Sequence, residues 1–188
     1  MIELINSFDI GVMKFIQNNL SNPILDKVMI FITGLGDTGF IWILIGLVLL
    51  INKKYKKIGI MVLVALALGS IFGEIILKNI IERHRPFISI EGINLLIDAP
   101  TSYSFPSGHT TSSFAATFVL ARNFKKKSIY IFTLATLIAF SRIYLGVHFP
   151  TDIIAGVILG LSCGYISIFV NRKIEKASRY RSWKNSYI

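Results

Sequence analysis

The sequence predicts an all-α polytopic membrane bundle of about six transmembrane helices, preceded by an amphipathic helix at the N-terminus. Three observations carry this. Hydrophobic residues make up 53% of the 188 and charged residues only 16%, with a mean hydropathy of +0.64, whereas a soluble chain carries about 25% charge. Apolar runs approach the length that crosses a bilayer, about twenty helical residues. Lysine and arginine gather in clusters beside those runs.

The elements follow in chain order. In residues 2–20, Ile2, Ile5, Phe8, Val12, Phe15 and Ile16 fall near helical spacing, which predicts an amphipathic helix lying at the interface. The absence of a basic start and of a long uninterrupted apolar core argues against a secretory signal there. Pro23 suits a helix start, and residues 24–33 form a short apolar segment interrupted by Asp26 and Lys27. Glycine punctuation at 34–39 precedes the strongly apolar 40–51. Residues 58–77 are the clearest span, and 108–120, 128–145 and 152–170 complete the set. Five spans are thus read directly, and 24–33 with its neighbours makes a sixth. No repeat interrupts residues 1–188, which read as a single domain.

The net charge of +10 reports topology. Lys53, Lys54, Lys56 and Lys57 form one cluster, and Arg122, Lys125, Lys126 and Lys127 a second. Arg172, Lys173, Lys176, Arg179, Arg181 and Lys184 form a third. Each flanks an apolar run, as the positive-inside bias requires of cytoplasmic loops. No aromatic residues interleave with them as in a nucleic-acid stripe, so nucleic acid is excluded as a partner. Placing these clusters inside puts 34–39, 78–105 and 145–150 on the opposite face. Cys163 is the only cysteine, which excludes an internal disulfide and a thiolate metal site.

Two of those far-side segments, with the helix ends beside them, hold most of the unusual polar residues. The first string runs Lys78-Asn-Ile-Ile-Glu-Arg-His-Arg85-Pro86, and a helix through it would set Lys78 and Arg85 on one face, two turns apart. The second is Tyr103-Ser-Phe-Pro106-Ser107-Gly108-His109, a turn opening a helix, where free backbone N–H groups and the helix dipole attract anions. The third, Ser141-Arg142-Ile-Tyr-Leu-Gly-Val-His148-Phe-Pro-Thr-Asp152, adds a cation, a histidine and a carboxylate four residues beyond it. Three cations, clustered hydroxyl and backbone donors, two histidines and a carboxylate suit phosphoryl transfer, which is governed by positioning and electrostatic stabilisation.

These strings resemble the three signature motifs of the type-2 phosphatidic acid phosphatase superfamily: Lys-x6-Arg-Pro, Pro-Ser-Gly-His and Ser-Arg-x5-His-x3-Asp. Every motif position is present, and the resemblance covers about residues 58–170. It implies a lipid phosphatase that needs no metal or other cofactor. His148 would be the nucleophile, forming a phosphohistidine, and Asp152 would orient it. His109 would be the general acid, with Lys78, Arg85, Arg142, Ser107 and the Gly108 amide binding phosphate. The expected substrate is undecaprenyl pyrophosphate, with phosphatidylglycerophosphate or phosphatidic acid as the alternative. A non-catalytic lipid-binding or transporter-like bundle is the contrasting class, which the intact His109, His148 and Asp152 argue against. The expected location is the plasma membrane, with the site facing the extracytoplasmic side.

Residues outside the motifs carry lesser expectations. Glu74 and Lys78 are spaced as an i,i+4 ion pair. Arg83 and His84 read as surface residues, with contact to a lipid headgroup as the alternative. The apolar patch at 93–97 reads either as part of a lid or as a loop packed on the bundle. Gly160 and Gly164 suit close helix packing or a homodimer contact.

Overall fold

The computed structural model describes residues 2–185, with side chains for 3–178; Arg179, Arg181 and Lys184 of the third basic cluster therefore have side chains outside the described residues. Within that range the chain is helical, without strands. The helices are α1 (Ile2–Leu20), α2 (Pro23–Gly36), α3 (Phe40–Ile51), α4 (Lys56–Gly69), α5 (Lys78–Ile81), α6 (Pro86–Ser89), α7 (Gly108–Asn123), α8 (Ser128–Tyr144) and α9 (Pro150–Asn185).

Helices α2 and α3 form one interrupted pass, which corrects the expectation of two spans. Asn22 caps α2, its Oδ1 accepting from the N–H groups of Ile24 and Leu25, and Pro23 occupies the first turn. Asp26 meets Tyr144 near one end, and Thr33 meets Arg142. Trp42 donates to Ser113, and Leu50 lies against Gly59 at the other end. These contacts progress in one direction along α8, α7 and α4, so the chain does not turn back. Between α2 and α3, Asp37–Gly39 forms a tight turn with Thr38 at φ 51° and Gly39 at φ 74°. Alone, the 12 residues of α3 would reach about 18 Å, too short for the roughly 30 Å of hydrocarbon.

Among the described residues, three stretches are long and apolar enough to cross a membrane: Pro23–Ile51, Lys56–Ser89 and Pro150–Ser178. The 16-residue α7 and 17-residue α8 lie packed with them. The described chain thus runs the bundle five times, through α2–α3, α4, α7, α8 and α9.

Helix α7 occupies the centre, packed by α4, α8 and α9. A Cβ at Gly160 would stand 2.5 Å from the Thr111 carbonyl oxygen, and one at Gly164 would stand 2.8 Å from that of Ala115. The glycine spacing on α9 therefore serves close packing on α7 within the chain. The same contact ties the site together, since the Ser107 N–H donates to the Asp152 carbonyl at 3.2 Å.

At one end of the bundle, Lys57 pairs with Glu175 at 2.6 Å and the Tyr55 and Phe124 rings sit 5.6 Å apart, which gathers the three basic segments. At the opposite end α1 lies across the bundle. It exposes Leu4, Phe8 and Phe15 yet buries Asp9, Met13 and Ile16. The apolar loop is packed: Leu95, Leu96 and Ile97 lie on Tyr144, Leu145 and Val147, while Gln17 donates to the Asn94 carbonyl at 3.1 Å.

Candidate active site

The three motif strings converge at the end opposite the basic clusters. They line a cavity of about 610 Å³ together with parts of α2, α3 and α4. Lys78, Arg85, Gly108, His109, Arg142 and His148 all border it.

The convergence of Lys78 and Arg85 does not arise from one helix face, as their spacing suggests. Helix α5 stops at Ile81, and Glu82 takes a left-handed conformation at φ 48°. The chain then leaves the helix, and both cations reach Ser102 from different directions. Lys78 Nζ and Arg85 Nη2 each donate to its hydroxyl at 3.2 Å. Upstream, α4 passes into a π-helical stretch, Ser70–Leu77; such widened turns recur at functional sites. This stretch carries Glu74, whose carboxylate accepts from Lys78 at 2.7 Å, so the i,i+4 pair forms as expected. Its other oxygen stands over Gly108, where a Cβ would be. A side chain there would force the Glu74 carboxylate to move.

Arg85 is nearly all engaged. It donates to the carbonyls of Ser102 at 2.7 Å, Val147 at 2.8 Å and Tyr103 at 3.2 Å, which holds Nη1 3.3 Å from His148 Nε2. Arg142 donates to Thr33 at 2.5 Å and retains a buried Nε with no hydrogen-bond partner among the described residues. An orphaned guanidinium N–H beside a cavity suits an anionic ligand. Ser107 caps α7, and its oxygen accepts from Thr110 Oγ1 at 3.0 Å, leaving the Gly108 end of the helix at the cavity wall.

His148 follows the turn after α8 and is buried, with Asp152 opening α9 nearby. Asp152 Oδ2 lies 3.5 Å from His148 Nδ1, an ion-pair distance longer than a hydrogen bond. Ser104 stands between them, donating to Asp152 Oδ2 at 2.5 Å and lying 3.4 Å from Nδ1. The same Oδ2 accepts the Phe149 N–H at 2.9 Å, so the carboxylate also caps its own helix. Burial pushes the His148 imidazole down to about 3 against the pull of Asp152, with Arg85 and Arg142 pushing the same way as burial. The ring is neutral near pH 7, the form that has a lone pair to offer.

Four residues outside the expected set take part. Arg83, expected at the surface, donates to Asp152 Oδ1 at 2.6 Å, Thr151 Oγ1 at 2.8 Å and Asp9 Oδ2 at 2.7 Å, and lies over the Phe149 ring. Asp9 also accepts from Thr151 through its N–H at 3.0 Å and its hydroxyl. Asp37 lies 2.8 Å from His109 Nε2. Ser104 stood within the second string without distinguishing marks. Asp9 offered one signal, a carboxylate between the apolar positions Phe8 and Ile10. By contrast, His84 remains exposed, as its sequence suggested.

A helical bundle with membrane-length apolar stretches and with cations and two histidines around one cavity fits the class of membrane phosphatases. The chain belongs to the PAP2 superfamily, whose sequence model matches residues 58–175. It is 33% identical to an undecaprenyl-diphosphatase of Sulfolobus acidocaldarius, over 90% of this chain and 84% of that one. Phosphatidylglycerophosphatase B of Bacillus subtilis is 31% identical, over 84% and 80% respectively. Among solved structures, Aquifex aeolicus LpxE superposes with a TM-score of 0.76 at 32% identity, covering 85% of this chain and 94% of its own.

Proposed function

We propose that the protein hydrolyses undecaprenyl pyrophosphate to the monophosphate at the extracytoplasmic face, through a phosphohistidine on His148. The observation that carries the chemistry is the alignment at His148. Nε2 faces Arg85 at 3.3 Å, while Nδ1 faces Ser104 and Asp152. A phosphoryl group opposite Nε2 lies within reach of Arg85, Lys78, Arg142 and the Ser107–Gly108 end of α7.

In the first step His148 Nε2 attacks the terminal phosphorus, and the bond to the bridging oxygen breaks. The Nδ1 proton stays on the Asp152 side, where the carboxylate balances the charge gained by the ring. His109 gives its proton to the leaving oxygen. In the second step water attacks phosphorus, the N–P bond breaks, and His109 recovers a proton from the water. The cations carry the phosphate charge throughout, so no step calls for a metal.

The substrate choice is supported by the Sulfolobus acidocaldarius relative, which matches nearly end to end. Phosphatidylglycerophosphate is the second reading, favoured by the similarity to the Bacillus subtilis enzyme. A phosphate-release panel in excess EDTA tests both. It compares undecaprenyl pyrophosphate, phosphatidylglycerophosphate, phosphatidic acid and lipid A by kcat/KM. Undecaprenyl pyrophosphate should rank first; a tenfold preference for another lipid would overturn the choice, and release dependent on added magnesium would overturn the metal-free chemistry. Orientation is read separately in a Cys163→Ala background. An impermeant thiol reagent outside should label Glu91→Cys and spare Lys126→Cys.

A further inference from the structure

We propose that Asp37 is the positioning carboxylate of His109, so that each histidine of the site has its own acid partner. The inference rests on His109 acting as the general acid, and goes beyond that role to what sustains it.

The contact is direct. Asp37 Oδ1 lies 2.8 Å from His109 Nε2, although 72 residues separate them in sequence. The backbone around Asp37 is built for it. Helix α2 breaks immediately after Gly36, and the next two residues after Asp37 both take positive φ, Thr38 at 51° and Gly39 at 74°. A β-branched residue is rare in that region and is held only where its surroundings over-determine it. Here they do. Thr33 is bonded to Arg142 on one side of the break, and Trp42 to Ser113 on the other. Gly36 completes the arrangement, since a Cβ there would stand 2.8 Å from His109 Cδ2 and 2.7 Å from Ile138 Cγ2. The imidazole thus lies directly against the helix that presents Asp37.

The chemistry requires such a partner. His109 shares its cavity with Lys78 and Arg142, both needed for phosphate, and with Glu74, already paired to Lys78. An imidazolium there holds its proton beside two fixed cations. A carboxylate on Nε2 offsets that repulsion, and it fixes the tautomer so that Nδ1 is the nitrogen that exchanges protons. During the first step the Nδ1 proton passes to the leaving oxygen as the P–O bond breaks. The Nε2 proton stays on the ring throughout, its hydrogen bond accepted by Asp37, which remains a carboxylate.

The test compares two leaving groups. A lipid phosphomonoester such as phosphatidic acid expels an alkoxide that needs a proton, whereas p-nitrophenyl phosphate expels a phenolate that does not. Asp37 has a side chain 65% exposed, so Asp37→Asn should fold normally, which a thermal melt verifies. Its kcat on phosphatidic acid should fall roughly 10²-fold, the lower end of a general acid's contribution, with KM little changed. On p-nitrophenyl phosphate the loss should stay within about threefold. Asp37→Glu should restore part of the loss, and the double variant with His109→Ala should be no worse than His109→Ala alone. Equal losses on both substrates, or losses that multiply in the double variant, would overturn the proposal. If His109→Ala depends on the leaving group and Asp37→Asn does not, only the Asp37 inference fails. If His109→Ala shows no such dependence, the general-acid reading fails and takes this inference with it.

Discussion

Arg83 Nη1 donates to Asp152 Oδ1 at 2.6 Å, on the oxygen opposite the one that serves Ser104 and His148. The same guanidinium reaches Asp9 on the N-terminal helix at 2.7 Å. Both carboxylates are fully buried, so Arg83 is the cation that balances them. Removing it strands two buried negative charges. Arg83→Ala should therefore destabilise the fold by about 3–5 kcal/mol and reduce phosphoenzyme formation, with Arg83→Lys recovering part of each. Melting in detergent with and without Asp9→Asn checks the coupling. The second substitution should relieve part of the Arg83→Ala penalty, and purely additive effects would count against a shared network.

The two histidines should separate kinetically. His148→Ala is expected to abolish turnover and any acid-labile phosphoenzyme, since no other imidazole lies at Arg85. His109→Ala should slow turnover roughly 10²–10⁴-fold while still forming the phosphoenzyme from an aryl phosphate. Quenched labelling with radioactive substrate distinguishes them, and the reverse pattern would exchange their roles.

Acid stability should carry the signature of His148. In the fold its imidazole is held neutral, down to about 3, chiefly by burial, whereas the unfolded chain takes the proton near its ordinary value of about 6.5. Between those values the unfolded state binds more protons. The stability gained by keeping the ring neutral is complete above pH 6.5 and is lost as pH falls towards about 3. Melting temperatures measured from pH 7 to 4 should fall less steeply in His148→Asn, by up to one proton or about 1.4 kcal/mol per pH unit. Parallel slopes would rule out a buried neutral imidazole.

The contact of α9 on α7 offers a prediction with its own control. At Gly160 a new Cβ would meet backbone atoms at 2.5 and 2.9 Å, and at Gly34 it would meet nothing within 4 Å. Gly160→Ala should cost about 1–3 kcal/mol and lower kcat, because α7 carries Ser107 to its contact with Asp152. Gly34→Ala should be neutral or stabilising by up to about 1 kcal/mol, as alanine favours a helix. Melts and turnover of the pair check both arms.

The sequence by itself determined the membrane class, the helical content and the identity of the three motif strings. Hydropathy and spacing are local properties, and they are enough to place Lys78, Arg85, His109, Arg142, His148 and Asp152 near helix ends. It also grouped the three basic segments at one end of the bundle, where Lys57–Glu175 and Tyr55–Phe124 bring them together. Partners were decided only by the tertiary structure. Residues 34–39 look like a turn between two spans, and only the contacts of Asp26, Thr33 and Trp42 reveal a single broken pass. Lys78 and Arg85 share a face on paper, yet they converge because Glu82 turns the chain out of the helix. Arg83 looks like a surface cation until α1 brings Asp9 beside it, 74 residues away in sequence. Asp37 gains its meaning only from His109. A charge in a sequence has a sign and a neighbourhood, but the group that neutralises it is chosen by packing between segments remote along the chain.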